Sequence, residues 1–196
     1  MSQPSARKTA PKKNGQKNER ASDANALTLD ESALDRARQH LDEGAVTPSY
    51  GPWRDAIVKL LNDALATELV CILRYKRHHF TAKGMNSPAI ASEFLVHANE
   101  ETGHGDRLAE RIVQLGGEPD FAPDTLLKRS HADYDASLDL KAMLRANLVA
   151  ERVAVEGYRQ MITLIGDKDP TTRRLLEDIL HDEEEHADEL ADLLHA

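Results

Sequence analysis

Little in this 196-residue chain is aromatic, sulfur-bearing or continuously apolar. A single cysteine, Cys71, excludes a disulfide framework, a cysteine-based zinc module and a four-cysteine iron site. Aromatic residues make up 4% beside 40% hydrophobic residues, mostly Leu and Ala. That balance argues against a β-sandwich or barrel and for an all-α protein. No apolar run approaches the roughly 18 residues of a membrane span. No hydrophobic stretch follows the charged N-terminus, as a secretory signal would require. The expectation is a cytoplasmic protein with no membrane association.

Charge is abundant and unevenly placed. Residues 1–20 carry six Lys and Arg against Glu19 alone, a net of +5, so that with −9 for the whole chain the other 176 residues carry −14. The stretch 1–26 is rich in Ser, Pro, Asn, Gln and Ala without apolar periodicity, and reads as a disordered basic arm. Such an arm on an acidic body is either a solubilising tail or a non-specific contact for the DNA phosphate backbone. It contains no aromatic that could stack on bases.

Residues 27–51 read as a short helix, from about Thr28 to Leu41, and a linker; residues 52–196 read as four long helices. The first long helix runs from Pro52 to about Phe80. The second runs from Ser87-Pro88 to Gly116-Gly117. After about twenty connecting residues, the third runs from near Asp139 to Ile165 and the fourth from Asp169-Pro170 almost to the end. Short, long and short connections fit an antiparallel four-helix bundle with one long crossover.

Positions at the 3–4 spacing of packed helices are apolar in all four, and each stripe is interrupted near its middle. Glu68 interrupts the first, between Ala64 and Cys71, with Tyr75 two turns on. Glu101 and His104 interrupt the second, between Phe94 and Leu108. Glu151 interrupts the third, in a stripe of Leu144, Leu148, Val155, Tyr158, Ile162 and Ile165. Glu183 and His186 interrupt the fourth, between Ile179 and Leu190, with Leu193 beyond. Residues three apart share a helix face, so each Glu-x-x-His pair can hold one metal. Buried carboxylates are costly unless compensated, and no Lys or Arg stands in these stripes. Two divalent cations would balance four carboxylates. The alternative is that these are surface Glu and His on a differently phased helix, which four independent coincidences make the poorer reading.

The chain also repeats itself. Glu68 to Glu101 spans 33 positions and Glu151 to Glu183 spans 32; Tyr75 and Tyr158 each lie seven residues after a Glu. Two helix–turn–helix halves, each supplying Glu, Tyr and Glu-x-x-His, would form a dinuclear site by duplication.

Over about residues 52–194 the sequence resembles the bacterioferritin branch of the ferritin-like superfamily, on LNDALATELVCILRY, ETGHGDRLAERIVQLGG, AERVAVEGYR and DEEEHADEL. The resemblance implies a ferritin-like bundle in which Glu68, His104, Glu151 and His186 are terminal ligands and Glu101 and Glu183 bridge two irons. It implies a ferroxidase that oxidises Fe(II) with hydrogen peroxide or O2 and stores ferric iron in a cage of identical subunits. Three features depart from bacterioferritins. Thr102 stands where a haem-ligating Met is usual, so haem is not expected. Only ten residues follow His186, which leaves no fifth helix and favours a twelve-subunit cage like that of the DNA-protection-during-starvation (Dps) group, with a bacterioferritin-type site. The relatives' nearby cysteine pair is reduced to Cys71.

Tyr75 either donates an electron or a hydrogen bond at the site, or simply packs; His97 and Glu100 either escort iron or are a packed His beside a solvated Glu. Gly103 and Gly105 either permit close packing or mark a bulge. The His78-His79 pair reads as a helix-end feature, and His181 and His195 as solvated. Two other functions fit the same residues: a manganese catalase or peroxidase without storage, and a mainly DNA-binding protein of the Dps type. The phosphate-contact reading of the arm predicts that deleting residues 1–20 abolishes low-salt binding to duplex DNA in a mobility-shift assay; the tail reading predicts no change.

Overall fold

The computed structural model of the protein describes residues 27–195, so the basic arm lies outside the described residues. Every regular element among them is helical: α1 (Glu31–Ala37), α2 (Arg54–Thr81), α3 (Ser87–Gln114), α4 (Leu126–Arg129), α5 (Leu140–Ile165) and α6 (Pro170–His195), with 3-10 turns at Leu41–Glu43 and Pro48–Trp53. No helix is long and apolar enough to cross a membrane.

Local chemistry sets the helix ends. Asp139 caps α5 by accepting from the Ala142 N–H at 2.9 Å, and Gly166 closes it in the left-handed region at φ 51°. Asp169 caps α6 by accepting from the Thr172 N–H at 3.0 Å, with Pro170 in the first helical position. At the end of α3, a Cβ on Gly117 would stand 2.6 Å from Val58 Cγ1, so only glycine lets the chain pass α2 so closely.

The short N-terminal helix covers less than the sequence suggests. It runs only from Glu31 to Ala37, capped by Asp30, and buries no residue. Seven residues without a packed face have little to hold a longer helix together, and His40, at φ 57°, turns the chain away.

The four long helices, of 28, 28, 26 and 26 residues, form two hairpins: α2 along α3 and α5 along α6. The intervening segment climbs α2 from end to end. Asn62 holds the backbones of Glu118 and Asp120, Thr67 holds His131, Arg74 reaches the Asp133 carbonyl and Arg77 that of Ser137. The chain therefore enters α5 at the far end of α2 and runs back antiparallel to it. This crossover, expected from sequence to be plain connection, also contains the single turn α4; Leu126 anchors it against Ala66 and Val70.

The core falls into two apolar clusters. One gathers Leu61, Leu65, Leu108, Ile112, Met161 and Leu176; the other gathers Cys71, Tyr75, Phe94, Met143, Leu144 and Leu190. The expected stripes of α2 and α3 are buried throughout. On α5 the stripe is rotated: Leu148, Val155 and Ile162 are half-buried, while Met143, Asn147, Ala150, Ala154 and Met161 face inward. Leu193 on α6 is also half-buried. A straight helix drifts by about 20° per heptad from a 3–4 repeat, and α5 packs against both α2 and α6.

Beyond one cluster, Arg111 on α3 clamps Asp169 through two 2.9 Å bonds from one Nη and donates from Nε to Thr172 Oγ1 at 2.8 Å. The hydrogen bonds from Thr172 and Arg111 outweigh burial and hold the Asp169 carboxyl below its usual range. Asp169→Ala should destabilise the fold by roughly 3–5 kcal/mol, because it strands a buried guanidinium and removes a cap. Since its folded pKa is depressed, the wild-type advantage should be full above about pH 4 and vanish as pH falls through that depressed value. Denaturant titrations of both proteins across that range check this.

Candidate metal centre

Between the two apolar clusters, the four helices bring together the six residues that interrupt their stripes. Glu68 comes from α2, Glu101 and His104 from α3, Glu151 from α5, and Glu183 and His186 from α6; none is more than 4% exposed. The donor atoms fall into two sets that share two residues. His104 Nδ1 lies 3.2 Å from Glu101 Oε2, 3.2 Å from Glu183 Oε1 and 3.8 Å from Glu68 Oε2. His186 Nδ1 lies 3.7 Å from Glu101 Oε1, 3.9 Å from Glu183 Oε2 and 4.0 Å from Glu151 Oε2. Glu101 and Glu183 thus each turn one oxygen to one imidazole and the other oxygen to the second. That is the geometry of a carboxylate that can bridge two ions.

The atoms facing this space are short of partners. Glu101 Oε1, Glu151 Oε2, both oxygens of Glu183 and Nδ1 of His186 are buried and make no hydrogen bond. Among the described residues no Lys or Arg pairs with the four carboxylates. Burial, joined by repulsion from Glu101, pushes the Glu68 carboxyl up to about 8, and burial also lifts Glu183 well above the carboxylate range. For Glu101, His104 and His186 burial is outweighed. The imidazoles of His104, which hydrogen-bonds Glu101, and of His186 pull Glu101 down, and attraction to the facing carboxylates raises His104 to about 11 and His186 to about 9. Protons therefore occupy the cluster at neutral pH when no cation does. Unpaired oxygen donors with two imidazole nitrogens fit hard-to-intermediate divalent ions such as Fe(II) and Mn(II).

A second layer orients these donors. The Tyr75 hydroxyl donates to Glu151 Oε1 and the Tyr158 hydroxyl donates to Glu68 Oε1, so each half of the repeat steadies the carboxylate of the other. His104 Nε2 meets Asp182 Oδ2 at 3.1 Å and His186 Nε2 meets Glu100 Oε2 at 3.0 Å, which turns both Nδ1 atoms inward. Glu100 and Asp182 line a groove of about 300 Å3 between α3 and α6 that reaches both histidines. A larger groove of about 1010 Å3 runs along α5 past Val149, Val153 and Leu164 and touches none of the six.

Part of this arrangement is not legible in the sequence. Tyr158 was readable from the repeat as the counterpart of Tyr75, but its bond to Glu68 was not. Asp182 stands in the run DEEE, where only helix phase distinguishes one acid from the next. Arg74 is fully buried beside Tyr75, so the interior is not free of cationic side chains as the stripes implied. Its donors go to Asn147 Oδ1, the Asp133 carbonyl and Cys71 Sγ, and none reaches the carboxylates. Burial raises the Cys71 thiol, which makes it a poor nucleophile. His78 pairs with Asp135 and Asn147, and His79 with the Ala91 carbonyl, so both serve the bundle end. His181 and His195 are exposed. Helix α3 stays regular through Gly103 and Gly105; a Cβ at 103 would meet nothing and one at 105 only ordinary contacts, so neither glycine marks a bulge. His97 and Glu100 do not meet: His97 stacks on the His186 ring, with centroids 4.2 Å apart, whereas Glu100 bonds that ring's edge.

A family model described as a ferritin-like domain matches residues 58–196. The chain is 28% identical to a bacterioferritin of Desulfovibrio desulfuricans, over 66% of this chain and 69% of that one. It is 32% identical to a nutrient stress-induced DNA-binding protein of Synechococcus, over 68% and 78%. Among solved structures, the bacterioferritin-related protein of Bacteroides fragilis, described as a dodecameric thioferritin, aligns with a TM-score of 0.70 at 30% identity, covering 72% of this chain and 86% of that chain. The Dps of Thermosynechococcus elongatus shares the fold with a TM-score of 0.71 at 21% identity, over 74% and 94%.

With Glu68, His104 and His186 raised above neutrality, to about 8, 11 and 9, loading the metal-free protein with Zn(II) at pH 7 should release roughly three protons per chain, measured by pH-stat titration. Zinc uptake without proton release would contradict this electrostatic picture.

Proposed function

The chain belongs to the ferritin-like domain family, and on that premise we propose that it is a ferroxidase that takes two Fe(II) ions per chain as substrate and stores the ferric product. One observation carries the reading: two donor sets that share Glu101 and Glu183, with five inward-facing atoms left without hydrogen bonds. In this reading Glu68 and His104 hold one ion, Glu151 and His186 hold the other, and Glu101 and Glu183 lie across both. Mn(II) suits the same donors.

Two ferrous ions held side by side can deliver two electrons to one oxidant molecule. With hydrogen peroxide, our preferred oxidant over O2, each Fe(II) loses one electron, the O–O bond breaks, and two protons are taken up to give two waters. No radical need leave the site. Tyr75 serves this step by steadying Glu151 through its hydroxyl. The acidic groove between α3 and α6 raises the local concentration of cations above His104 and His186.

Storage requires assembly. The relative from Bacteroides fragilis is described as dodecameric, and we carry that over as a twelve-subunit cage in the cytoplasm that protects against peroxide. Leu73, Phe80, Val149 and Leu164 are 53%, 79%, 62% and 59% exposed on the outer helix faces, which is apolar surface that neighbouring copies would remove from water. The DNA-binding relative keeps a DNA contact open for the basic arm of residues 1–20.

Glu151→Ala and His186→Ala should each remain helical by circular dichroism yet lose rapid Fe(II) oxidation, read by stopped-flow absorbance of the ferric product; undiminished oxidation would remove the site from the reaction. Loading metal-free protein with excess Fe(II) and peroxide, followed by gel filtration, should give many irons per chain eluting with a large assembly. About two per chain would point instead to a dinuclear enzyme without storage, with manganese catalysis leading.

A further inference from the structure

The groove above the centre holds donors that the six residues do not use. His97 is fully buried on α3, one turn before Glu101. Its Nε2 points away from the centre, 2.9 Å from Glu189 Oε2 on α6 and 3.5 Å from Glu93 Oε1 on its own helix. One donor atom from each of the three lies within 4.8 Å of the others. On the opposite side of the ring, Nδ1 meets the Tyr75 hydroxyl oxygen at 3.0 Å.

The protons on this chain of contacts can be assigned. Tyr75 has one O–H, and it donates to Glu151. Its oxygen must therefore accept from His97, which places the imidazole proton on Nδ1. A neutral imidazole has only that one N–H, so Nε2 presents a bare lone pair to two carboxylates that, when ionised, can only accept. With that tautomer, a cation at the mouth of the acidic groove would supply the positive partner that the Nε2 lone pair and the two carboxylates share. The spacing suits a metal: donors at about 2.1 Å from one ion lie about 3.0 Å apart in octahedral and about 3.4 Å apart in tetrahedral coordination.

The internal repeat shows that this set is an addition to the duplicated plan. Superposing Glu101 on Glu183 matches His97 with Ile179, Glu93 with Leu175 and Glu189 with Arg107. The second half thus has none of the three donors, and Tyr158 meets only Glu68 there. General acidity of the helices does not account for such one-sidedness.

We infer that His97, Glu93 and Glu189 form a third divalent-cation site on the groove side of the dinuclear set. The side chains of Glu93 and Glu189 are 35% and 55% exposed, so water can complete the coordination. One imidazole and two carboxylates select Fe(II), Mn(II), Co(II) or Zn(II) rather than soft ions. Because the His97 ring stacks on that of His186 with its Nε2 turned away from the centre, an ion held there would lie beside the central set and not within it. Its use as a staging point for incoming Fe(II) rests on the ferroxidase reading; cation binding itself does not.

Co(II) titration of the full-length, metal-free protein tests the site. Wild type should bind one more Co(II) per chain than the Glu93→Gln/Glu189→Gln double variant, whose two substitutions lie at the groove surface. Crystals grown with Co(II) should show an anomalous peak at bonding distance from His97 Nε2. A Glu183→Ala variant separates the two assignments, since it should lose the central ions and keep the third. Equal stoichiometry in wild type and double variant would overturn the site, as would absence of the peak; both are expected if His97 is instead an imidazolium paired with Glu189.

Discussion

Four carboxylates and two imidazoles share one buried volume in the middle of this bundle, and no Lys or Arg from the described chain pairs with those carboxylates. Everything nearby is arranged to tolerate that. Each ionised carboxylate taken out of water costs several kcal/mol unless it is paired, so a scaffold that places four together needs rigid support on both sides. The two apolar clusters supply it. Residues such as Leu61, Leu108 and Leu176 close one side, and Phe94, Met143 and Leu190 close the other. Long helices are the natural vehicle: a 28-residue α-helix, about 42 Å long, can hold a full apolar stripe on either side of a polar interruption.

Polar groups just outside the centre refine its geometry. Tyr75 and Tyr158 each bond the carboxylate of the opposite half, which ties the two hairpins together at the site and holds Glu68 and Glu151 in place. Asp182 and Glu100 hold the outer nitrogens of His104 and His186. These contacts follow the duplication with small changes of residue type. His97 breaks it, because its ring connects Tyr75 to the groove on one side only. The two ions of the proposed reaction would accordingly sit in unequal surroundings, one on the side where His97 reaches the groove and the other on the side where the repeat places Ile179 instead.

Buried polar residues away from the centre stabilise the ends of the bundle. Arg111, Asp169 and Thr172 join the end of α3 to the start of α6. Arg74, Asn147, His78 and Asp135 join α2, α5 and the crossover at the opposite end. Each cation there has its own partners, so neither network neutralises the central carboxylates. This separation leaves the centre's donors free for ions from solution.

The sequence by itself determined the helical class, the lengths of the four long helices and the six residues that interrupt their stripes. Those features rest on local chemistry: 3–4 periodicity, capping Asp and Pro, and terminal Gly act within a few residues of chain. The duplication was equally legible, because spacing survives without coordinates. Other features depended on which helix faces which. The stripe of α5 was phased from a 3–4 repeat and is rotated in the bundle, where α5 meets α2 and α6 together. The crossover's climb along α2, its turn α4 and the shortness of α1 follow from where apolar side chains find, or fail to find, a partner surface. The burial of Arg74, the crossed tyrosine–carboxylate bonds and the convergence of His97, Glu93 and Glu189 were decided by tertiary structure alone. Their contacts between elements join residues 59 to 96 positions apart or depend on rotamers that only packing selects, and no local pattern encodes either.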